Sequence, residues 1–110
     1  MSNKKITTLY IRSAVNDNNK VQQQEDLLRQ YSDKHSYSNL RVYVDNGVGG
    51  NTLNRPAFNQ LTADIDSEIV ATVIVVDFSR ISRNTAVAVD WIRNVRRNGV
   101  SLISVYEGRM

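Results

Sequence analysis

Ala71-Thr72-Val73-Ile74-Val75-Val76 is a run of six apolar or β-branched residues without polar alternation. A strand with one wet face alternates, whereas a continuous run of this kind marks a strand covered on both faces, as in a parallel sheet between helices. The elements around it agree. Upstream, Phe58, Leu61 and Ile65 form the buried stripe of a helix begun at Pro56, the only proline, with Asn54 near the cap. Downstream, 84–98 reads as a helix with Val89, Ile92 and Val95 inward and Gly99 as its stop. Ile6 to Arg12 is a β-branched and aromatic strand, and the polar turn Asn16 to Asn19 leads into an amphipathic helix over 20–34. Leu40 to Asp45 is a second strand with Val42 and Val44 on one face, and Val100 to Val105 a fourth. Asn46-Gly47-Val48-Gly49-Gly50-Asn51 between them is expected to be a mobile loop. Strand and helix alternate throughout. The expectation is an α/β, three-layer domain with a largely parallel central sheet of about four strands and helices on both faces. No further element is expected after the fourth strand, and that abrupt end suggests one domain cut from a longer protein.

Composition narrows the chemistry. The 110 residues contain no cysteine and one histidine, His35. A disulfide framework, a thiolate zinc site, a cysteine nucleophile and a multi-histidine metal cluster are excluded. His35 reads as a cation at a helix C-terminus. No apolar run approaches the length of a membrane span, and the start Met1-Ser2-Asn3-Lys4-Lys5 leads into a strand rather than a signal peptide. The expected setting is cytoplasmic. A net charge of +3 is only mildly basic, but its distribution is uneven. Arg80 to Arg97 holds five arginines and one carboxylate, Asp90, whereas Asp64 to Asp77 holds four carboxylates and no base.

Ligands of such sheets bind at the carboxyl ends of the strands. The first strand leaves through Tyr10-Ile11-Arg12-Ser13-Ala14 and the third through Asp77-Phe78-Ser79-Arg80-Ile81-Ser82-Arg83, while the loop after the second delivers Arg55. Arg12, Arg55, Arg80 and Arg83 are therefore expected to converge at one edge. Guanidinium is permanently charged and forks onto phosphate oxygens, so the cluster suits a phosphodiester and its transition state.

Tyr10-x-Arg12, Gln24, Asp45-x-Gly47 with Gly50, Arg55-Pro56 and Ser79-Arg80-x-x-Arg83 resemble, in order and spacing, the catalytic domain of serine site-specific recombinases, the resolvases, DNA invertases and large serine integrases. The resemblance implies metal-free, cofactor-free phosphoryl transfer, in which a serine hydroxyl attacks DNA and forms a 5′-phosphoserine link. DNA is the implied partner, together with a homo-oligomer, dimer and tetramer in the family, and no membrane. Carried over, Arg12, Arg55, Arg80 and Arg83 match the phosphate-binding and catalytic arginines, and Tyr10 the strand tyrosine. Gln24, Asp77 and Ser79 are expected to support them, with Asp77 pairing Arg80 or Arg83 and Ser79 and Ser82 holding the loop.

The nucleophile is a departure. The family places its serine four residues after the tyrosine, where this chain has Ala14. Residues 10, 12 and 14 share a strand face and Ser13 points the other way. Three readings are open: Ser13 displaced into service by a turn, a relative that retains fold and DNA contacts without chemistry, or an alanine engineered into an active enzyme. Gly49 also departs, the family more often having serine there. A DNA-associated regulatory or dimerisation module is thus the competing function, and a nucleotide-binding module built on the glycine loop a third. Without a helix-turn-helix, zinc ribbon or basic arm, sequence-specific binding is expected to lie outside these residues. Trp91 reads as a packing residue.

Overall fold

The computed structural model describes residues 5–49, 55–82 and 84–109. Asn54, Gly50, Asn51 and Arg83, all named above, lie outside the described residues. The elements run β1 (Ile6–Ser13), α1 (Asn18–Lys34), β2 (Leu40–Asn46), α2 (Pro56–Asp66), β3 (Val70–Val75), α3 (Thr85–Arg97), β4 (Ser101–Ser104) and β5 (Gly108–Arg109). A single 3-10 turn, Phe78–Arg80, lies between β3 and α3.

The sheet order is β2-β1-β3-β4-β5, and the first four strands are parallel. β5 corrects the expectation that nothing follows the fourth strand. A turn after Ser104 lets Gly108, with φ +90°, fold back so that Ser104 pairs with Gly108 and Ile103 with Arg109 in antiparallel register.

Alternation along the central strands divides the core. Tyr10, Val73, Val75 and Leu102 pack under α2 and α3 with Leu61, Ile65, Trp91, Ile92 and Val95. Leu9, Ile11, Ile74, Val76 and Ile103 face the other way, onto Leu28 of α1. The run at 70–76 is continuous because it has no wet face.

Helix α1 is capped as its sequence suggests: the Asp17 carboxylate accepts from Lys20 N at 3.1 Å. His35 is its C-cap, stacked on Tyr31 at 4.2 Å. Val89 is a second correction, being 40% exposed. The inward stripe of α3 is Ala88, Trp91, Ile92 and Val95, a spacing of 3, 4 and 7 that leaves Val89 turned about 100° away. Trp91 packs 4.9 Å from Phe58, centroid to centroid, and its Nε1–H donates to Thr62 Oγ1. Val42 and Val44 share a face at the sheet edge, where Val44 remains exposed while Tyr43 and Asp45 are buried opposite.

Candidate active site

The connection from β1 passes to α1 on one face of the sheet, and that from β3 to α3 on the other. The chain therefore parts at the carboxyl ends of two neighbouring strands, which leaves a crevice there. Most of the residues singled out in the sequence meet at this point.

A polar hub lies on the α2 side. Tyr10 Oη donates to Asp45 Oδ2 at 2.7 Å and accepts from Arg55 Nη2 at 2.8 Å. Asp45 also accepts from the N–H groups of Ala57 and Phe58, at 2.9 and 3.0 Å. The carboxylate thus caps α2 from the neighbouring strand, and Arg55, at the N-cap position, supplies no side-chain cap. Asp45 was legible only as part of a spacing motif; what marks it as the hub is its position beside a helix start that lacks a local cap.

Arg12 and Arg55 are 2% and 3% exposed, and both turn toward the loop after β3. Arg12 donates to the carbonyls of Ser79, Arg80 and Val48 at 3.0–3.2 Å. Arg55 donates to the carbonyls of Arg80, at 2.6 Å, and Ile81. The Arg80 peptide is therefore gripped by two guanidinium groups. The Arg80 side chain returns the contact, donating to Arg12 O at 3.4 Å and pairing with Asp77 at 3.5 Å. Asp77 also accepts from Ser79, both Oγ and N, and Ser82 Oγ accepts from Asn84 N. Arg12, Arg55 and Arg80 thus come together as the sequence suggested.

On the α1 side a groove of about 650 Å³ is lined by Ser13, Ala14, Gln24, Leu27, Val76 and Arg80, with further residues at its rim. β1 ends at Ser13, and the bend that follows leaves Ala14 exposed, so both residues line the groove. Ser13 has the strand parity of Leu9 and Ile11, opposite to that of Tyr10. Its Oγ donates to Val15 O at 2.6 Å, and its carbonyl accepts from Gly47 N and Val48 N at 2.8 and 2.9 Å. Gly47 reaches this contact with φ +78°, and a Cβ there would lie 3.4 Å from Asn16 Cβ. Gln24 Nε2 donates to Arg12 O at 3.1 Å, while Gln24 Oε1 and Arg80 Nε are buried without partners. Sequence reasoning named Ser13, Ala14, Gln24 and Arg80 but not the groove, because its other wall comes from α1 and the segment after β4.

Burial raises the Tyr10 phenol pKa well above its ordinary value, with Asp45 adding to the rise and Arg55 opposing it. Tyr43, which donates to Asp64 at 2.5 Å, is pushed up to about 12, first by burial and then by that bond. Both phenols are held protonated in the fold. Their contribution is complete below the unfolded tyrosine value of about 10 and is lost as pH rises toward the folded values. The urea midpoint should therefore hold up to about pH 10 and fall between about pH 10 and 12, as tyrosinate absorbance at 295 nm rises with loss of helical circular dichroism. A midpoint unchanged across that window contradicts the two buried phenols.

Comparison with known proteins decides the family. Residues 7–110 match the family described as Resolvase, N terminal domain. The chain belongs to this family. Among solved structures, the resolvase-family domain is similar to the N-terminal catalytic domain of TP901-1 integrase, at 26% identity and a TM-score of 0.87, over 94% of this chain and 80% of that one. It is also similar to a resolvase family site-specific recombinase from Streptococcus pneumoniae, at 27% identity and a TM-score of 0.81, over 96% and 74%. The C-terminal catalytic domain of ISC1926 TnpA, an IS607-like serine recombinase, shares the fold at 19% identity and a TM-score of 0.79, over 90% and 66%. No curated protein matches the chain. The resolvase-family domain is thus of serine-recombinase type, and among its described residues no helix is long and apolar enough to cross a membrane.

Proposed function

We propose that this domain serves site-specific DNA recombination by holding a DNA phosphodiester in the groove beside Arg80, with Ser13 as the attacking hydroxyl. The observation that carries this reading is the end of β1 at Ser13: the turn brings a hydroxyl and the Arg80 side chain to one groove at the crevice between β1 and β3. In the proposed step Ser13 Oγ attacks phosphorus and the bond to the 3′ oxygen breaks. The proton lost by the serine is balanced by the one gained at the leaving 3′ oxygen, and attack by a 3′-hydroxyl reverses the reaction. Arg80 is the group placed to meet the phosphoryl oxygens. Arg12 and Arg55 act as positioning residues, because their hydrogen bonds go to the loop that carries Arg80. Gln24 and Asp77 fix the Arg12 peptide and the Arg80 side chain. Arg83 belongs to the same proposal on the strength of its motif alone.

A second reading is favoured by a specific observation. The Ser13 hydroxyl already donates to Val15 O, the residue is 3% exposed, and Ala14 offers no side-chain hydroxyl. On that reading the domain binds DNA and self-associates without breaking strands.

Both readings require the phosphate contact, which fluorescence anisotropy with a nicked duplex tests. Affinity should be weak and should fall steeply with salt. Arg80→Gln should lower it at least about fivefold and reduce the slope of log K against log salt by about one. Unchanged affinity and slope would remove Arg80 from the site.

A further inference from the structure

The groove is larger than one phosphate needs, and its lining is not only polar. Leu27 of α1 and Val76 beyond β3 are apolar members of the lining, and Tyr106 lines it with them. Tyr106 is 70% exposed, the most exposed large hydrophobic residue among those described. An exposed aromatic on a loose segment would mean little, but this one is mounted on fixed backbone. Tyr106 N donates to Val76 O at 3.2 Å, Val105 N to Val75 O at 2.9 Å and Glu107 N to Ser104 Oγ at 3.0 Å. Lys20 shares the lining with Arg80, so cations and an aromatic border one groove.

Apolar and aromatic lining suits a base, and cations in the same lining suit the phosphate attached to it. Basic grooves with aromatic platforms are how proteins hold unpaired nucleotides, and the groove's 650 Å³ lies within the range of small-ligand sites. We propose that the groove binds one unpaired DNA nucleotide next to the phosphodiester at Arg80, with its base stacked on Tyr106. The inference rests on the phosphate reading above and extends it to the neighbouring nucleotide. It also moves nucleotide recognition from the glycine loop, where the sequence suggested it, to the opposite side of β1.

The test uses the 110-residue chain at low salt with two nicked duplexes, one carrying an unpaired 2-aminopurine beside the nick and one fully paired. The expected result is at least about fivefold tighter binding of the unpaired probe, with quenching of its fluorescence. Tyr106→Ala should abolish the preference while leaving affinity for the paired probe unchanged, and Tyr106→Phe should retain it. Equal binding of both probes, or a preference that survives Tyr106→Ala, overturns the inference and leaves the phosphate reading standing. If Arg80→Gln weakens neither probe, the phosphate reading fails and the inference fails with it.

Discussion

Arg55→Met is expected to lower the unfolding free energy by about 3–5 kcal/mol. The residue is buried, yet the loss does not come from its methylenes, which methionine largely replaces. It comes from what the guanidinium serves: the phenol of Tyr10 and the carbonyls of Arg80 and Ile81. Replacing a buried charged group is often neutral when every partner is replaced with it, but main-chain carbonyls cannot be replaced. Ile81 O would be left without this donor at a cost of roughly 1–3 kcal/mol, and Arg80 O would keep only its bond from Arg12. The Phe58 ring, 4.1 Å from the guanidinium carbon, would also lose its cation. The contrast is Arg80→Gln, which removes a partly exposed ion pair of 3.5 Å and should cost less than about 1 kcal/mol. Thermal unfolding followed by circular dichroism separates the two variants, with a fall in Tm of roughly 12–20 °C for Arg55→Met. A loss below about 1 kcal/mol there would mean that water reaches the carbonyls, and that Arg55 is free for a ligand rather than committed to the loop.

Stability and binding thus assign different work to arginines that look alike in the sequence. Their convergence was legible because strand ends in a parallel sheet share one edge: Arg12 is at the end of β1, and Arg55 and Arg80 follow β2 and β3. Their division of labour was not, because it depends on which carbonyls the loop after β3 presents. The rest of the fold divides in the same way. The buried run at 71–76 is visible because it is apolar or β-branched throughout with no polar alternation, and α1 because its apolar residues recur at helical spacing. Val89 misleads because it lies one position from a true stripe beginning at Ala88. β5 is invisible because two residues paired through backbone atoms carry no side-chain pattern.

Ser13 shows how a correct geometric argument can leave a functional question open. Strand parity sets its side chain opposite to Tyr10 and Arg12, on the face occupied by Leu9 and Ile11. What parity does not reveal is that a groove lies on that face, bounded by α1 and by Tyr106 from the turn after β4. Nor does it reveal that the Arg80 side chain reaches the same groove while its peptide is held by Arg12 and Arg55. Position 13 is fixed from both sides, through Gln24 and Arg80 on the preceding carbonyl and through Gly47 and Val48 on its own. An attacking group needs such a mount, since misplacement by an ångström can cost a hundredfold in rate.

The most direct measurement is covalent trapping on nicked DNA, read by mass spectrometry. The full chain is fused to a zinc-finger array that supplies a DNA address, and three proteins are compared: unmodified, Ser13→Ala and Ala14→Ser. A serine–DNA adduct in the unmodified protein that disappears with Ser13→Ala is the predicted result, and it would establish Ser13 as the nucleophile beside Arg80. An adduct in Ala14→Ser alone would contradict that assignment, leaving a phosphate site whose attacking hydroxyl is missing and a domain that binds DNA without cutting it.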